Sequence, residues 1–406
     1  MQRLMILGVM ALTLGTPVAH AADWGQYRGP QRDGVSMETG IEAWGDTGPK
    51  ELWRRSIGPG FSTIAAVGER VYTLDSDDSK EYAVAFDRAT GEELWRTEIG
   101  GLFKNDFGDG PRSGPTWHDG RIYVLSSLGD LHALDAEQGK VLWSAGFTEQ
   151  FSAELPRWAF SSSPLVVDDL LIVETGGTEG RAVTAFARAD GTVRWSAIDD
   201  AIAYSSPILV ELHGVRQVVV LTQQGLHGLG LDGEALWHAS FAPKLGITPA
   251  PPIHVAPDRF FVSASYDIGA KMVQVSKNAA GFVATDVWEA RTSMRNHFNP
   301  SVLLDGHLIG FDKGTLKCID ADTGRQAWAK RGLGKGSLIR TDEHVILLSE
   351  RGKLVLAAAA TDAYRELASH QALTGRSWTQ PTLADGRLYL RNGSEIVAYD
   401  LRGGRS

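Results

Sequence analysis

The stretch that decides the fold runs from Ala133 to Trp143 and reads Ala-Leu-Asp-Ala-Glu-Gln-Gly-Lys-Val-Leu-Trp. Its two ends alternate as β-strands do, and Gly139 lies between them, where a tight turn needs a positive φ angle. Val141 and Trp143 are two residues apart, so they point to the same face of the returning strand. The stretch therefore predicts a short β-hairpin that ends in a tryptophan.

This hairpin recurs along the chain. The pattern Ala-x-Asp-x-x-x-Gly-x-x-x-Trp begins again at Ala85, and at Cys318 with cysteine in place of alanine. The tryptophans that close the copies lie 40 to 52 residues apart and are Trp53, Trp95, Trp143, Trp195, Trp237, Trp288 and Trp328. A period of this length with four strands per unit is typical of β-propellers. A single hairpin is marginal in water, so we expect these tryptophans to anchor each unit against its neighbour.

Prolines indicate which strand of each unit lies innermost. The prolines that stand at the start of first strands are Pro115, Pro164, Pro207, Pro252, Pro300 and Pro381. Proline lacks the amide donor of a strand ladder and is tolerated at a strand's first residue or on an edge. The first strand of each unit is therefore predicted to form the inner edge of a blade.

The two ends of the repeat region predict how the ring closes. The last copy, from Pro381 to Asp400, contains only three strands. Residues 51–54, at the other end of the region, supply an unpaired strand, and their pairing with the last copy would remove two exposed edges. The prediction is an all-β fold: one eight-bladed β-propeller over residues 50–406, with four-stranded antiparallel blades and an N-terminal strand in the last blade.

The N-terminus reads as an export signal. Arg3 precedes an apolar run, and residues 19–21 form an Ala-His-Ala cleavage pattern, so residues 1–21 are predicted to be a signal peptide. Because no second long apolar run follows, we expect a protein without a transmembrane anchor that is soluble in the periplasm or secreted. The protein is also expected to be a monomer. Residues 22–49 lack the repeat and are predicted to be an extended segment that lies across the propeller.

Composition narrows the possible functions. The chain has 406 residues and a formal net charge of −9, which gives no sign of a nucleic-acid partner. The single cysteine, Cys318, can form neither an internal disulfide nor a cysteine-cluster metal site. No P-loop, hydrolase or metalloprotease motif is present, so no catalytic residue and no metal ligand is predicted.

The repeat resembles the tryptophan-docking motif of the quinoprotein-type, or PQQ-binding-like, eight-bladed propellers. The opening residues 24–34, Trp-Gly-Gln-Tyr-Arg-Gly-Pro-Gln-Arg-Asp-Gly, look like those of a subgroup of secreted bacterial proteins with such repeats. In size and blade count the chain is similar to the outer-membrane protein assembly factors of the BamB type, which are non-enzymatic periplasmic scaffolds. The resemblance implies a binding or scaffold module without a cofactor, whose partner is a protein or a small polar ligand.

The same resemblance leaves an alternative open, a PQQ-dependent oxidoreductase of the alcohol dehydrogenase type that would use PQQ with calcium. Such enzymes typically have a longer chain, an adjacent cysteine pair beside the cofactor and a calcium site with a catalytic aspartate. A single cysteine excludes that pair here, and the other features have no matching positions. The chain also lacks the lipidated cysteine of BamB, so the resemblance does not extend to membrane tethering.

The candidate binding site is the mouth of the central channel. The segments that link one blade to the next carry aromatic and hydroxyl residues just before the prolines, as in Phe-Ser-Ser-Ser at 160–163 and Trp-Thr-Gln at 378–380. These links lie on one face of a propeller and converge on its channel, where a pocket can form. The residues predicted to contact a ligand are Arg112, Trp158, Ser162, Tyr204, Ser206, Asn299, Lys335, Trp378 and Gln380.

Two interpretations of this cluster stay open. The positive charges of Arg112 and Lys335 would favour an anionic or polar ligand, because arginine binds carboxylates with two hydrogen bonds. Alternatively, the hydroxyl groups satisfy backbone groups and the aromatic rings fill the channel.

Overall fold

The computed structural model describes residues 23–243, 245–266 and 268–403, so the predicted signal peptide lies outside the described residues. Within them the chain forms eight four-stranded antiparallel sheets arranged in a ring, which confirms the predicted all-β, eight-bladed propeller. Helix is almost absent, and none of the described helical segments has the length and apolarity that crossing a bilayer requires.

Strand β1 (Lys50–Ser56) belongs to the last blade, and the next strands form blades 1 to 4 in chain order. Blade 1 consists of β2 (Ala65–Val67), β3 (Arg70–Ser76), β4 (Lys80–Asp87) and β5 (Glu93–Gly101). Blade 2 consists of β6 (Thr116–His118), β7 (Arg121–Leu125), β8 (Asp130–Asp135) and β9 (Val141–Gly146), and the short helix α1 (Phe147–Phe151) follows it. Blade 3 consists of β10 (Leu165–Val167), β11 (Leu170–Gly177), β12 (Arg181–Ala187) and β13 (Val193–Ala197). Blade 4 consists of β14 (Ile208–Leu212), β15 (Val215–Leu221), β16 (Gly225–Leu229) and β17 (Ala235–Ser240).

The remaining strands complete the ring. Blade 5 consists of β18 (Ile253–Val255), β19 (Arg259–Ala264), β20 (Gly269–Asn278) and β21 (Gly281–Ala290). Blade 6 consists of β22 (Val302–Leu304), β23 (His307–Asp312), β24 (Thr315–Asp320) and β25 (Gln326–Lys330). Blade 7 consists of β26 (Gly336–Arg340), β27 (His344–Ser349), β28 (Lys353–Ala358) and β29 (Glu366–Gln371). Blade 8 consists of β30 (Thr382–Ala384), β31 (Arg387–Arg391), β32 (Glu395–Asp400) and β1.

The first strand of each blade is an edge strand beside the channel, as the prolines predict. In every sheet the strand that follows the interblade link stands at one end of the strand order. Strand β2, the first strand of blade 1, lies next to both β6 and β30, the first strands of the two neighbouring blades. Pro115 directly precedes β6, and Pro381 directly precedes β30. Because the inner edge has no further strand to bond, the missing amide donor of proline costs nothing there.

The hydrophobic core lies between the blades. Tyr123 and Leu131 of blade 2 form one buried cluster with Leu171 and Phe186 of blade 3. Alternation along each strand sends one set of side chains to each neighbouring blade, so both faces of a blade are buried. A blade removed from the ring would expose both faces, so the blades depend on one another for stability.

The N-terminal strand closes the ring, as predicted. Strand β1 pairs antiparallel with β32, with Trp53 opposite Ala398 and Arg55 opposite Ile396. Arg54 of β1 forms an ion pair with Glu395 of the last blade and donates a hydrogen bond of 2.8 Å to the Tyr399 hydroxyl. The last blade therefore draws its outer strand from the opposite end of the repeat region.

Indole rings connect most neighbouring blades. Trp143 of β9 donates its Nε1–H to the carbonyl oxygen of Arg188 in blade 3, 3.0 Å away, and its ring lies against Gly191 in the same turn. Gly191 has a φ of 75°, and a Cβ atom there would stand 2.6 Å from the indole. The other indoles that donate to a carbonyl oxygen of the following blade are those of Trp53, Trp95, Trp195, Trp288 and Trp328.

Two junctions in the described structure lack this indole hydrogen bond. Trp237 of blade 4 donates instead to the side-chain oxygen of Gln217 in its own blade, 2.6 Å away, and reaches blade 5 by ring packing on Phe260. Blade 5 carries the long β20–β21 hairpin at this junction. Blade 7 has an alanine, Ala368, at the tryptophan position of its outer strand, opposite Leu356.

Two glycines with the same φ angle allow the energy of the indole contact to be measured separately from backbone strain. Gly191 and Gly214 both have a φ of 75°, but Gly214 has no atom within 4 Å of the place where a Cβ would stand. Both alanine variants meet the same unfavourable φ, roughly 1–2 kcal/mol. Only Gly191→Ala must also displace the indole, so we expect it to lose about 1–3 kcal/mol more free energy of unfolding in denaturant titrations. Equal losses for the two variants would show that the indole contact contributes nothing.

Candidate functional site at the channel mouth

A cavity of about 250 Å³ opens at the channel mouth, on the face that carries the links between blades. We call it the channel-mouth cavity. Its aromatic lining comes from Tyr27, Phe61, Phe107, Trp158, Tyr204, Tyr266, His297, Phe298 and Trp378. Its polar lining comes from Thr63, Arg112, Ser161, Ser163, Ser206, Asn299, Thr379 and Gln380. The links thus bring residues that are distant in sequence around one space.

The structure places seven of the nine predicted contact residues around this cavity. They are Arg112, Trp158, Tyr204, Ser206, Asn299, Trp378 and Gln380. Ser162 does not line the cavity: it is buried, and its carbonyl oxygen accepts a hydrogen bond from the Ser113 hydroxyl. Lys335 does not line it either, although its charge acts on the nearby His297.

Sequence reasoning missed several lining residues. Phe61 and Thr63 precede β2 in the same way that Phe160 and the serines precede β10, so the repeat alignment could have found them. Tyr266 follows β19, outside the links, and no pattern pointed to it. Tyr27 belongs to the segment before the propeller and reaches the cavity only through the path of the chain.

The aromatic wall is curved. On one side Trp378 packs against Phe61 at 5.5 Å between ring centroids and against Phe298 at 4.8 Å with a 42° tilt. On the other side Trp158 meets Tyr204 edge to face, at 5.8 Å and 71°. Contacts of this kind stabilise the rings beyond simple burial.

Arginines stack on the outer sides of both tryptophans. The Arg376 guanidinium lies 4.5 Å from the Trp378 ring centroid, and that of Arg157 lies 4.8 Å from the Trp158 ring centroid. A cation held over the face of an indole is attracted by the ring quadrupole. These stacks hold the two indoles in place at the rim of the cavity.

The segment before the propeller closes the inner end of the channel. We call residues 24–35 the N-terminal plug. Its first residue, Trp24, pairs with Ala66 in the middle of β2, and its last, Val35, pairs with Arg340, the last residue of β26. Because strands β2 and β26 start at the mouth and run inwards, these pairings lie away from the mouth. Tyr27 faces the channel-mouth cavity from this side, so the cavity is blind.

Two buried arginines fasten the plug inside the channel. Arg32 donates hydrogen bonds of 2.8 and 2.9 Å to the carbonyl oxygens of Ser163 and Pro164 in blade 3. Arg28 donates one of 2.9 Å to the carbonyl oxygen of Ser301 in blade 6. Burial lowers the pKa of Arg32 to about 9, which leaves the guanidinium protonated at neutral pH. The plug therefore ties together blades that do not touch each other.

Four lining residues have a buried polar atom without a hydrogen-bond partner in the described part of the chain. These atoms are Thr63 Oγ1, His297 Nδ1, Trp378 Nε1 and Gln380 Oε1. A buried polar group left unsatisfied costs about 1–3 kcal/mol, so such groups need water or a ligand. The indole supplies a donor and the Gln380 amide oxygen supplies an acceptor.

Arg112 lines the cavity, but its charge is used within the protein. Its guanidinium donates hydrogen bonds to the carbonyl oxygens of Gly108 and Gly110, at 2.8 and 2.6 Å. Burial lowers its pKa to about 10, and the nearby carboxylates of Glu81 and Asp109 oppose this shift. Lys335 does not line the cavity, and the Arg112 guanidinium is bonded to its own loop. The two positive charges that were expected to bind an anionic ligand are therefore not available for one.

The lining does not fit calcium-bound PQQ. None of the described residues around the cavity is a carboxylate, and no described group of three or more His, Cys, Asp or Glu residues could hold a metal ion. Calcium is bound by six to eight oxygen ligands, among which aspartate and glutamate carboxylates dominate. The donor set of the cavity therefore differs from the one that the resemblance to alcohol dehydrogenases implies.

The fold and the cavity define a β-propeller of the PQQ-like repeat class with a blind, aromatic-walled pocket at its channel mouth. The chain belongs to the family described as outer membrane protein assembly factor BamB, whose family model matches residues 35–124, 79–309 and 284–406. The resemblance found in the repeat is thereby confirmed.

Known proteins of two kinds are similar to the chain. The outer membrane protein assembly factor BamB of Burkholderia pseudomallei (strain K96243) is 25% identical over 306 residues, 73% of this chain and 63% of that protein. The chain thus spans less than two thirds of the length of that curated relative. The crystal structure of BamB from Moraxella catarrhalis has a TM-score of 0.59 at 13% identity, covering 87% of this chain and 99% of that one. Quinohemoprotein alcohol dehydrogenase from Comamonas testosteroni has a TM-score of 0.63 at 15% identity, covering 95% and 81%. At such identities the solved structures show the fold alone.

The buried Arg32 guanidinium donates to two adjacent carbonyl oxygens, and we expect its replacement to lower the free energy of unfolding more than replacement of an exposed arginine with the same contacts. Arg55 also donates to two adjacent carbonyl oxygens, those of Thr90 and Gly91, but it is exposed. Lysine keeps the charge but cannot reproduce a planar fork. We expect Arg32→Lys to lose about 2 kcal/mol of unfolding free energy and Arg55→Lys less than about 0.5 kcal/mol. Faster proteolysis within residues 24–35 should accompany the first change only, and a similar loss in both variants would argue against the plug as a fixed element.

His297 predicts a pH dependence of stability. Burial, and then the Lys335 charge, lower its pKa to about 4 in the folded protein, whereas an unfolded histidine titrates near pH 6.5. Below about pH 6.5 the unfolded chain takes up this proton more readily, so the folded state loses stability as the pH falls towards 4. The stability difference between the wild type and His297→Gln should shrink by roughly 1 kcal/mol from pH 7 to pH 5, after allowing for solvent screening. A difference that is constant over this range would contradict the buried, neutral histidine.

Proposed function

We propose that the protein is a non-enzymatic binding module of the bacterial periplasm, built on a BamB-like propeller, and that its channel-mouth cavity is the binding site. One observation carries the proposal: the cavity is blind and aromatic-walled, and four of its lining residues carry a buried polar atom that no described residue satisfies. Pockets that combine apolar walls with a few convergent polar groups are typical ligand sites.

The periplasmic location has two supports. Residues 1–21 have the pattern of a signal peptide, and the Burkholderia relative is described as an outer membrane protein assembly factor. Both support a location in the bacterial envelope. The assembly role of that relative is a weaker guide here, because the chain covers 63% of its length.

The lining also supports binding rather than catalysis. Its described members offer no carboxylate and no lysine to act as a general acid or base. Its histidine, His297, is held neutral by burial and shares a hydrogen bond of 2.9 Å with the Tyr266 hydroxyl. The similarity to quinoprotein dehydrogenases suggests an alternative function, the oxidation of an alcohol with PQQ. The absence of carboxylates from the described lining counts against this alternative.

Ligand retention tests the proposal. Purified protein is incubated with the small-molecule fraction of a periplasmic extract, isolated again and weighed by native mass spectrometry. We expect the wild type to carry an added mass and Trp378→Ala to lose it, because Trp378 is in contact with both Phe61 and Phe298. Leu94→Ala is the control, since Leu94 is 46% exposed on an outer strand far from the cavity.

Three outcomes would overturn it. If the wild-type protein carries no added mass, it has bound no ligand from the extract. If the Trp378→Ala variant keeps the added mass, the ligand binds outside the channel-mouth cavity. Dye-linked alcohol oxidation after addition of PQQ and calcium would establish the oxidoreductase instead.

A further inference from the structure

The charges around the cavity indicate a neutral ligand. Among the described lining residues Arg112 is the one with a formal charge at neutral pH, and its guanidinium already donates to Gly108 and Gly110. The carboxylates of Glu81 and Asp109 further offset its charge. An anion that entered the cavity would lose its hydration without gaining an unpaired cation, which is costly.

The aromatic wall favours a puckered ring with C–H edges over a flat ring. Phe298 and Trp378 are tilted by 42°, and Trp158 and Tyr204 by 71°, so the lining rings form a concave surface. An aromatic face carries negative charge density that attracts weakly positive C–H groups. The C–H faces of a pyranose ring have this character, and their curvature matches a concave wall.

The polar atoms favour a ligand with hydroxyl groups. The Trp378 indole N–H has no described acceptor, and Gln380 Oε1 has no described donor although the Gln380 side chain is only 3% exposed. A hydroxyl group both donates and accepts, so several hydroxyls on one ring can satisfy such a mixed set. A purely apolar ligand would leave these atoms unpaired, at a cost for each.

The shape of the cavity limits how much of the ligand enters. Its volume of about 250 Å³ lies just below the roughly 300–1,000 Å³ of ordinary ligand pockets. Tyr27 of the N-terminal plug lines its inner end, so a chain cannot pass through. One sugar ring can be enclosed, and any further rings must extend into solvent.

We propose that the channel-mouth cavity binds the terminal pyranose ring of a neutral carbohydrate. The proposal rests on the proposed function as a binding module and names the class of its ligand. Trp158 and Trp378 cover the C–H faces of the ring, and the Trp378 indole N–H and the Gln380 amide oxygen bind its hydroxyl groups.

Calorimetric titration and tryptophan fluorescence test this with four probes: D-glucose, N-acetyl-D-glucosamine, the β-1,4 dimer of the latter, and D-glucuronate. We expect saturable binding of at least one neutral sugar at millimolar concentration or below, and much weaker binding of glucuronate, which has the same ring with a carboxylate. The dimer separates the two sources of the ligand. Binding equal to or tighter than that of the monomer indicates a glycan end, and exclusion of the dimer indicates a free monosaccharide.

Two variants check the site. Trp378→Phe keeps an aromatic face and removes the N–H, so it should weaken sugar binding roughly 3- to 10-fold. Trp378→Ala should abolish binding. Leu94→Ala should leave it unchanged, and thermal melts establish that all three are folded. Normal sugar binding by folded Trp378→Ala would overturn the assignment.

The failure of this inference can be told apart from failure of the proposed function. If no neutral sugar binds but the mass taken up from the extract still depends on Trp378, the ligand belongs to another class and the binding module stands. Tighter binding of glucuronate than of glucose would show an anion site and overturn the inference. If neither sugars nor extract components bind, the cavity holds water only and both proposals are wrong.

Discussion

An indole laid against a glycine of the neighbouring blade is the contact on which the ring depends. It brings a large apolar surface and one hydrogen bond to the same point, and it requires a residue without a Cβ atom. Each such contact fixes one blade relative to the next. Because the interblade links leave the blades at fixed places, the angle between blades sets how the links meet at the channel, and with it the shape of the cavity.

The plug and the indole contacts act at different radii. The indoles join neighbours near the outer strands, whereas Arg28 and Arg32 of the plug bind blades 6 and 3 across the axis. Both guanidinium groups donate hydrogen bonds to backbone carbonyl oxygens. The plug therefore contacts the backbone at the start of the inner strands rather than particular side chains. The cavity is thus bounded by the repeat on its sides and by a non-repeating segment at its end.

The sequence predicted what repeats and missed what does not. The tryptophan period and the prolines were enough for the blade count, the inner strands and ring closure, because each rests on local geometry repeated several times. The convergence of the links followed from the fold, so most of the lining residues were found. Tyr27 and Tyr266 were not, and neither was the pairing of Arg112 with its own loop. These depend on single long-range contacts, which no periodicity records. The middle serine of the 161–163 run faces away for the same reason: a pattern gives the segment but not the side-chain direction.

The pairing of β1 with β32 has a consequence for how the protein folds. Arg54 and Glu395 meet although 341 residues separate them, so the ring cannot close before nearly the whole repeat region has been made. Contacts between residues this distant in sequence slow folding, since the entropy of a very long loop must be lost first. Until then the inner channel has no closed wall, and both β1 and blade 8 present unpaired strand edges. A nascent chain therefore passes through a long open-ring stage whose edges can pair with one another, or with another copy of the same chain.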